Sequence, residues 1–86
     1  MAENQASMQV KIYAPFRTYF DDQAISVTAV NKTGPFDILP GHKNFMTLLI
    51  PCVIAVGLNG KPAYEIKITR GVMHVKADKV TVFLDV

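Results

Sequence analysis

The feature that most constrains this chain is an alternation of apolar and polar side chains that repeats every second residue. In the first such segment, Met8, Val10, Ile12 and Ala14 fall on one face, and the residues between them fall on the other. A period of two is typical of a β-strand with one buried face. No stretch carries a convincing long amphipathic helical pattern, so the chain is predicted to fold from strands.

The same pattern recurs at short intervals, separated by residues that favour turns. Asn59-Gly60 predicts a hairpin with a type I′ turn, because Asn and Gly both tolerate the positive φ that this turn requires. Ala77-Asp78 predicts a second tight reversal. The remaining strand-like runs are Ile25 to Val30, Val53 to Leu58, Tyr64 to Thr69, Val72 to Ala77 and Val80 to Val86.

Four segments are less regular. Asp21-Asp22 predicts a turn after a short edge piece, and the Asn, Gly and Pro residues within 31–35 predict another. The run from Phe45 to Ile50 fits either a strand or a single helical turn, and Pro51 ends it. Phe36 to Leu39 is expected to be extended and to stop at Pro40.

These strands predict an all-β fold, a small antiparallel β-sandwich of two packed sheets with roughly eight to ten short strands. A closed barrel is the alternative way to bury the same faces. We expect one domain over residues 8–86. Residues 1–7 are expected to be a flexible leader or a remnant of cloning, because the pattern starts only at Met8.

Composition excludes several classes of protein. Half of the residues are hydrophobic and 19% are charged, which is too apolar for a disordered chain and indicates apolar surface left for a partner. The net charge of +2 comes without a basic cluster, so neither nucleic acid nor a charged membrane surface is an expected partner. Leu48 to Leu58 is the longest apolar stretch, and it is far too short to span a bilayer.

No group of residues predicts catalysis, a metal site or a cofactor. His42 and His74 have no further ligands at a useful spacing, and Cys52 alone can form neither an internal disulfide nor a metal cage. Ser7 and Ser26 lie outside any nucleophile motif. We therefore expect a protein that is not an enzyme.

One segment stands out, Gly34 to His42, where apolar residues, a Pro-Gly kink and an imidazole fall close together. Its simplest interpretation is that Pro and Gly shape turns while Phe36, Ile38 and Leu39 fill the core. The other interpretation is a rigid loop that contacts another protein, since such mixed loops are good contact surfaces.

The segment Gly-x-x-x-Ile-Leu-Pro-Gly-His resembles the signature loop of the ATP synthase epsilon subunit family, called delta in mitochondria. A second similarity lies in Arg70 to Val75 followed by Asp78 to Asp85, which resembles the closing hairpin of that family. The resemblance covers nearly all of residues 8–86. This chain has Pro35 where the family usually has Glu, and Asp37 where it has a second Gly. Family members continue into two C-terminal helices, whereas this sequence stops at Val86.

The resemblance implies a non-catalytic rotor subunit that clamps the gamma subunit to the membrane c-ring, coupling ion flow to ATP synthesis. It implies no cofactor, no metal, and membrane association only through the complex, on the cytoplasmic face of a bacterial inner membrane or the equivalent organelle face. The expected ring-facing loop comprises Phe36, Asp37, Ile38, Leu39, Pro40, Gly41, His42 and Lys43.

A different class of function is a stand-alone small β-barrel that binds nucleic acid or another ligand. It would present aromatic side chains interleaved with basic ones on one face. The only such cluster is Tyr13, Phe16, Arg17, Tyr19 and Phe20. Packing of a core explains most of that cluster at least as well.

Overall fold

The computed structural model describes residues 6–85, and every regular element in that range is a β-strand. The strands are β1 (Met8–Ala14), β2 (Arg17–Ala24), β3 (Ser26–Asn31), β4 (Gly34–Ile38), β5 (Phe45–Leu49), β6 (Cys52–Leu58), β7 (Lys61–Ile68), β8 (Gly71–Lys76) and β9 (Lys79–Leu84). Most of the leader expected at residues 1–7, and Val86, lie outside the described residues. Ser7, which the structure describes, donates a hydrogen bond from its hydroxyl to the side-chain oxygen of Gln23 at 2.8 Å.

The strands form two sheets that pack face to face. One has the order β2-β1-β9-β8-β5 and the other the order β4-β3-β6-β7. The predicted two-sheet sandwich is confirmed, with one difference, because β1 and β9 pair in parallel while the other neighbours are antiparallel. Alternation of side chains carries no information on strand direction, so the sequence could not predict this pair.

Apolar side chains from both sheets fill the space between them. The described residues include no buried polar or charged side chain, so burial of hydrophobic surface stabilises the sandwich without polar groups that need partners. Half-buried aromatic residues such as Phe20, Phe36 and Tyr64 close the margins. The buried residues are Met8, Val10, Ile12, Ala14, Ala24, Val27, Ala29, Ile38, Leu49, Ile54, Val56, Ile68, Met73, Val75, Val80, Val82 and Leu84.

Two predicted turns are wrong in position. Asp21 and Asp22 lie inside β2, where they pair with Lys11 and Val10 of β1. Both acids are exposed on an edge strand, so their side chains stay in water and the strand continues past them. The turn placed at residues 31–35 contains only Lys32 and Thr33, because Pro35 belongs to edge strand β4. An edge position tolerates the missing N–H of proline. The ambiguous run at residues 45–50 is a strand.

The type I′ turn predicted at Asn59-Gly60 is found instead at Ala77-Asp78. At Asn59-Gly60 only Gly60 has a positive φ, of 74°, which excludes the predicted type I′ turn, and the pairing shifts register between Val56 and Leu58. At Ala77-Asp78 both residues have positive φ, 49° and 61°, as a type I′ turn requires. An alanine in this conformation is strained, since its Cβ crowds the backbone.

Replacement of Ala77 by glycine should therefore stabilise the domain by about 1 kcal/mol, because glycine adopts positive φ without that cost. Urea unfolding followed by circular dichroism measures the change. The matched control is Ala63→Gly on exposed edge strand β7, which should destabilise the domain by about 0.5–1 kcal/mol through lost backbone entropy. Equal effects of the two variants would contradict the assignment of strain to Ala77.

Candidate functional site

The loop of residues 39–44 joins the two sheets at one end of the sandwich. It runs from β4, an edge of the four-stranded sheet, to β5, an edge of the five-stranded sheet. We call it the crossover loop. It contains the Pro40-Gly41-His42 motif, and Gly41 has a φ of 85°, a conformation that favours glycine.

The crossover loop is held by the β8–β9 turn. The backbone N–H of Gly41 donates to the Asp78 carboxylate at 2.7 Å, and the backbone N–H of Ala77 lies 3.4 Å from the side-chain oxygen of Asn44. Inside the loop, the His42 N–H donates to the Leu39 carbonyl at 3.1 Å. The unusual backbone of the turn thus places Asp78 where a charge-assisted hydrogen bond fixes the loop.

A small aromatic cluster supports the loop from the side of the core. The His42 ring meets Phe45 edge-on, with centroids 5.6 Å apart, and Phe45 meets Phe36 in the same way at 5.8 Å. His42 Nδ1 lies 2.8 Å from the Lys43 carbonyl oxygen. His42 is exposed, and these contacts set the orientation of its ring.

The eight residues expected to face the ring do not form one surface. Ile38 is fully buried and Phe36 is half-buried, so both support the loop from below. Asp37 is exposed on the outer face of the four-stranded sheet, where its carboxylate accepts a hydrogen bond from the Thr28 hydroxyl at 2.6 Å. The exposed residues at the end of the sandwich are Leu39, Gly41, His42 and Lys43, with Pro40 half-buried between them.

The aromatic and basic cluster that would support the hypothesis of a nucleic-acid-binding β-barrel is divided between two faces of the sandwich. Tyr13 packs on Phe83 on the outer face of the five-stranded sheet, with centroids 5.3 Å apart. Phe20 packs on Tyr64 of the other sheet at 5.2 Å, so it closes the core. Arg17 lies 4.7 Å from the Tyr19 ring centroid. Aromatics that face opposite ways cannot stack successive bases, which disfavours a nucleic-acid surface.

Residues 6–85 contain no group of three or more side chains able to hold a metal ion. In the same range there is no helix long and apolar enough to cross a membrane. Cys52 is a half-buried free thiol in β6.

Sequence reasoning missed an apolar row across the outer face of the five-stranded sheet. Leu48, Val72, Phe83 and Tyr13 lie side by side in register on β5, β8, β9 and β1. Leu48 is 72% exposed. We call these four residues the outer row. The sequence did contain a signal for this row. Val72 and Phe83 are apolar at positions that would be polar in a strand whose outer face contacts only water.

The Asp78 contact can be tested without a partner. Asp78→Ala should cost about 1–2 kcal/mol of stability, because the exposed Gly41 N–H loses a charged acceptor and alanine is strained at the positive φ of this position, and it should speed hydrogen exchange at residues 39–44. Asp78→Asn keeps an acceptor and tolerates positive φ, so it should retain most of the protection. Exchange rates at Gly41 that are unchanged in Asp78→Ala would show that the loop is held by other contacts.

The sequence is similar to that of a known protein family. The family model described as "ATP synthase, Delta/Epsilon chain, beta-sandwich domain" matches residues 7–86. The ATP synthase epsilon chain of Parasynechococcus marenigrum is 34% identical over 92% of this chain, and that of Trichlorobacter lovleyi is 31% identical over 91%. The matches cover 57% and 56% of those relatives, so the chain spans a little over half of their length.

Two solved structures share the fold at low sequence identity. One is a chain of the Euglena gracilis mitochondrial ATP synthase, in a structure of OSCP, F1 and c-ring, with a TM-score of 0.86, 18% identity, and coverage of 96% of this chain and 53% of that one. The other comes from the central stalk and c-ring of the Tetrahymena thermophila enzyme, with a TM-score of 0.77, 16% identity, and coverage of 95% and 66%. With the family match over residues 7–86, these findings show that the chain belongs to the ATP synthase delta/epsilon chain β-sandwich family.

Proposed function

We propose that this chain is the β-sandwich part of a central-stalk rotor subunit, which holds the gamma subunit of an ATP synthase against the membrane c-ring. The observation that carries the proposal is the family match over residues 7–86. The likeness to chains from ATP synthase stalk and ring structures supports the same fold. Association with the membrane is then indirect, through the complex, on the face that carries F1.

The physical demand on such a subunit is stiffness. Torque passes through a rotor without loss only if each part resists shear, and two laterally hydrogen-bonded sheets with a close-packed apolar core do so. The described residues bury only apolar side chains, and two hydrogen bonds fix the crossover loop to the β8–β9 turn. The chain contributes no reacting group under this proposal, and ATP synthesis occurs elsewhere in the complex.

The ring-facing surface is assigned to the crossover loop from Leu39 to Lys43, and Asp37, on the adjoining outer face of the four-stranded sheet, is assigned to its margin. Leu39 is 55% exposed and lies beside an ordered imidazole and the Lys43 cation. A partly apolar, partly polar loop of fixed shape suits the polar ends of membrane helices, because little side-chain freedom is lost on contact. Ile38 and Phe36 hold this surface in place and do not contact the ring.

The variant with Asp37→Ala and His42→Ala should weaken binding of the c-ring by about tenfold, equivalent to about 1.4 kcal/mol, and lower the proton pumping driven by each ATP hydrolysed. The domain should remain folded, because both side chains are exposed. The measurements are co-purification of c-ring with the gamma complex and pumping in membrane vesicles. The control replaces Glu65 and Lys67, which are exposed on the far edge strand β7, by alanine.

Unchanged ring binding by the Asp37 and His42 variant would contradict the assigned surface while leaving the rotor role intact. Failure of the unaltered chain to co-purify with a cognate gamma subunit would contradict the rotor role itself. In that case the β-sandwich would be a binding module for another partner.

A further inference from the structure

Strand β5 is an edge that lacks the charges and prolines found on the other three edges. The four edges of the two sheets are β2, β5, β4 and β7. Three of them carry residues that discourage pairing: Asp21-Asp22 in β2, Pro35 in β4, and Lys61-Pro62 in β7. Charges and prolines on edges prevent strand addition. β5 reads Phe-Met-Thr-Leu-Leu from Phe45 to Leu49 and has neither.

The backbone of β5 is free along one side. Within residues 6–85, Phe45–Leu49 pairs with β8 alone, and the next strand-like contact is a single bond from the Ile50 N–H to the Val30 carbonyl at 3.2 Å. The side of β5 away from β8 therefore has no strand partner among these residues. Such an edge is a template for one more strand.

A groove of about 590 Å³ follows this free side. Its walls are β5 from Met46 to Ile50 and the β3–β4 turn from Asn31 to Thr33. The Asn31 amide donates to the Thr47 hydroxyl at 3.1 Å, which fixes the two walls relative to each other. Among residues 6–85, the lining contains one cation, Lys32, and no acid. An occupant that carries a carboxylate near this turn is favoured by charge.

The side chains of β5 on the outer face are unusually exposed for their size. Met46 is 66% exposed and Leu48 is 72% exposed. Leu48 belongs to the outer row, where it lies next to Val72, and Val72 lies next to Phe83. A second groove, of about 510 Å³, is lined by Leu48, Val72 and Phe83 and by the Arg70–Asp85 ion pair. A strand added beside β5 would place every second side chain beside Met46 and Leu48 and extend the apolar surface.

We propose that β5 accepts an extended segment of a protein partner as a sixth strand of the five-stranded sheet. The segment has apolar residues at alternate positions, which pack beside Met46 and Leu48, and a carboxylate that meets Lys32. A second copy of this chain fits less well. Symmetric antiparallel pairing about Thr47 would bring the two β3–β4 turns, each with Lys32, to the same place, and like charges would oppose.

The test uses the full chain and a synthetic peptide of alternating Val and Thr that ends in Glu, with every peptide amidated at its C-terminus so that the Glu side chain is the only carboxylate. Addition of the peptide should shift the backbone NMR signals of Phe45–Leu49 and of residues 31–33, and slow hydrogen exchange at alternate amides of β5. A peptide with N-methyl groups on the amides of one edge should not bind, because it cannot complete the ladder. A peptide ending in Lys in place of Glu should bind about tenfold more weakly.

Two variants of the chain separate the contributions. Met46→Lys with Leu48→Lys should abolish binding and leave the fold intact, since both side chains are exposed. Lys32→Glu should reverse the preference between the peptides that end in Glu and in Lys. Circular dichroism and thermal unfolding confirm that each variant is folded.

Several results would overturn the proposal. These are the absence of any shift at saturating peptide, equal binding by the N-methylated peptide, and shifts confined to β2, β4 or β7. Sedimentation that shows a dimer abolished by the Met46 and Leu48 variant would also overturn it, because the occupant would then be a second copy. Each of these outcomes is independent of the rotor role, since no other ATP synthase subunit is present.

Discussion

The whole molecule depends on the burial of one apolar face of each sheet against the other. All seventeen buried hydrophobic side chains of the described range come from strands, and no polar group is enclosed with them. In a domain this small, hydrophobic burial must offset nearly all of the conformational entropy lost on folding. Turns, loops and outer surfaces are therefore free to vary as long as the alternation is kept. This freedom explains how a sandwich with an unusual signature loop still matches its family.

Side-chain alternation made the fold class, the two-sheet sandwich and most strands predictable from the sequence. It failed where side-chain pattern carries no information. Direction of pairing is one case, as the parallel β1–β9 pair shows. Backbone angles are another, because Asn59-Gly60 has the composition of a type I′ turn while Ala77-Asp78 has its geometry. Edge strands are the third, since Asp21, Asp22 and Pro35 look like turn residues until their exposure on an edge is known.

The candidate site was predictable only in part for a related reason. A motif locates a loop in sequence, but only the packing decides which of its residues reach the surface. Ile38 and His42 belong to one motif, yet one is enclosed in the core and the other is exposed on an aromatic support. The anchor at Asp78 lies 37 residues from Gly41 in sequence, so no local pattern could indicate it. The free β5 edge likewise requires knowledge of sheet order.

The parallel pair of β1 with β9 has a consequence for how the chain reaches its native state. The first and last strands of the described range sit side by side in the middle of the five-stranded sheet. During synthesis the five-stranded sheet cannot be completed until β9 has left the ribosome. Until then, the edge of β1 that pairs with β9 has no partner. Contacts of such long sequence separation are associated with slow folding. The domain should therefore assemble as a single late step, and a chain shortened before residue 79 would leave a gap at the centre of a sheet.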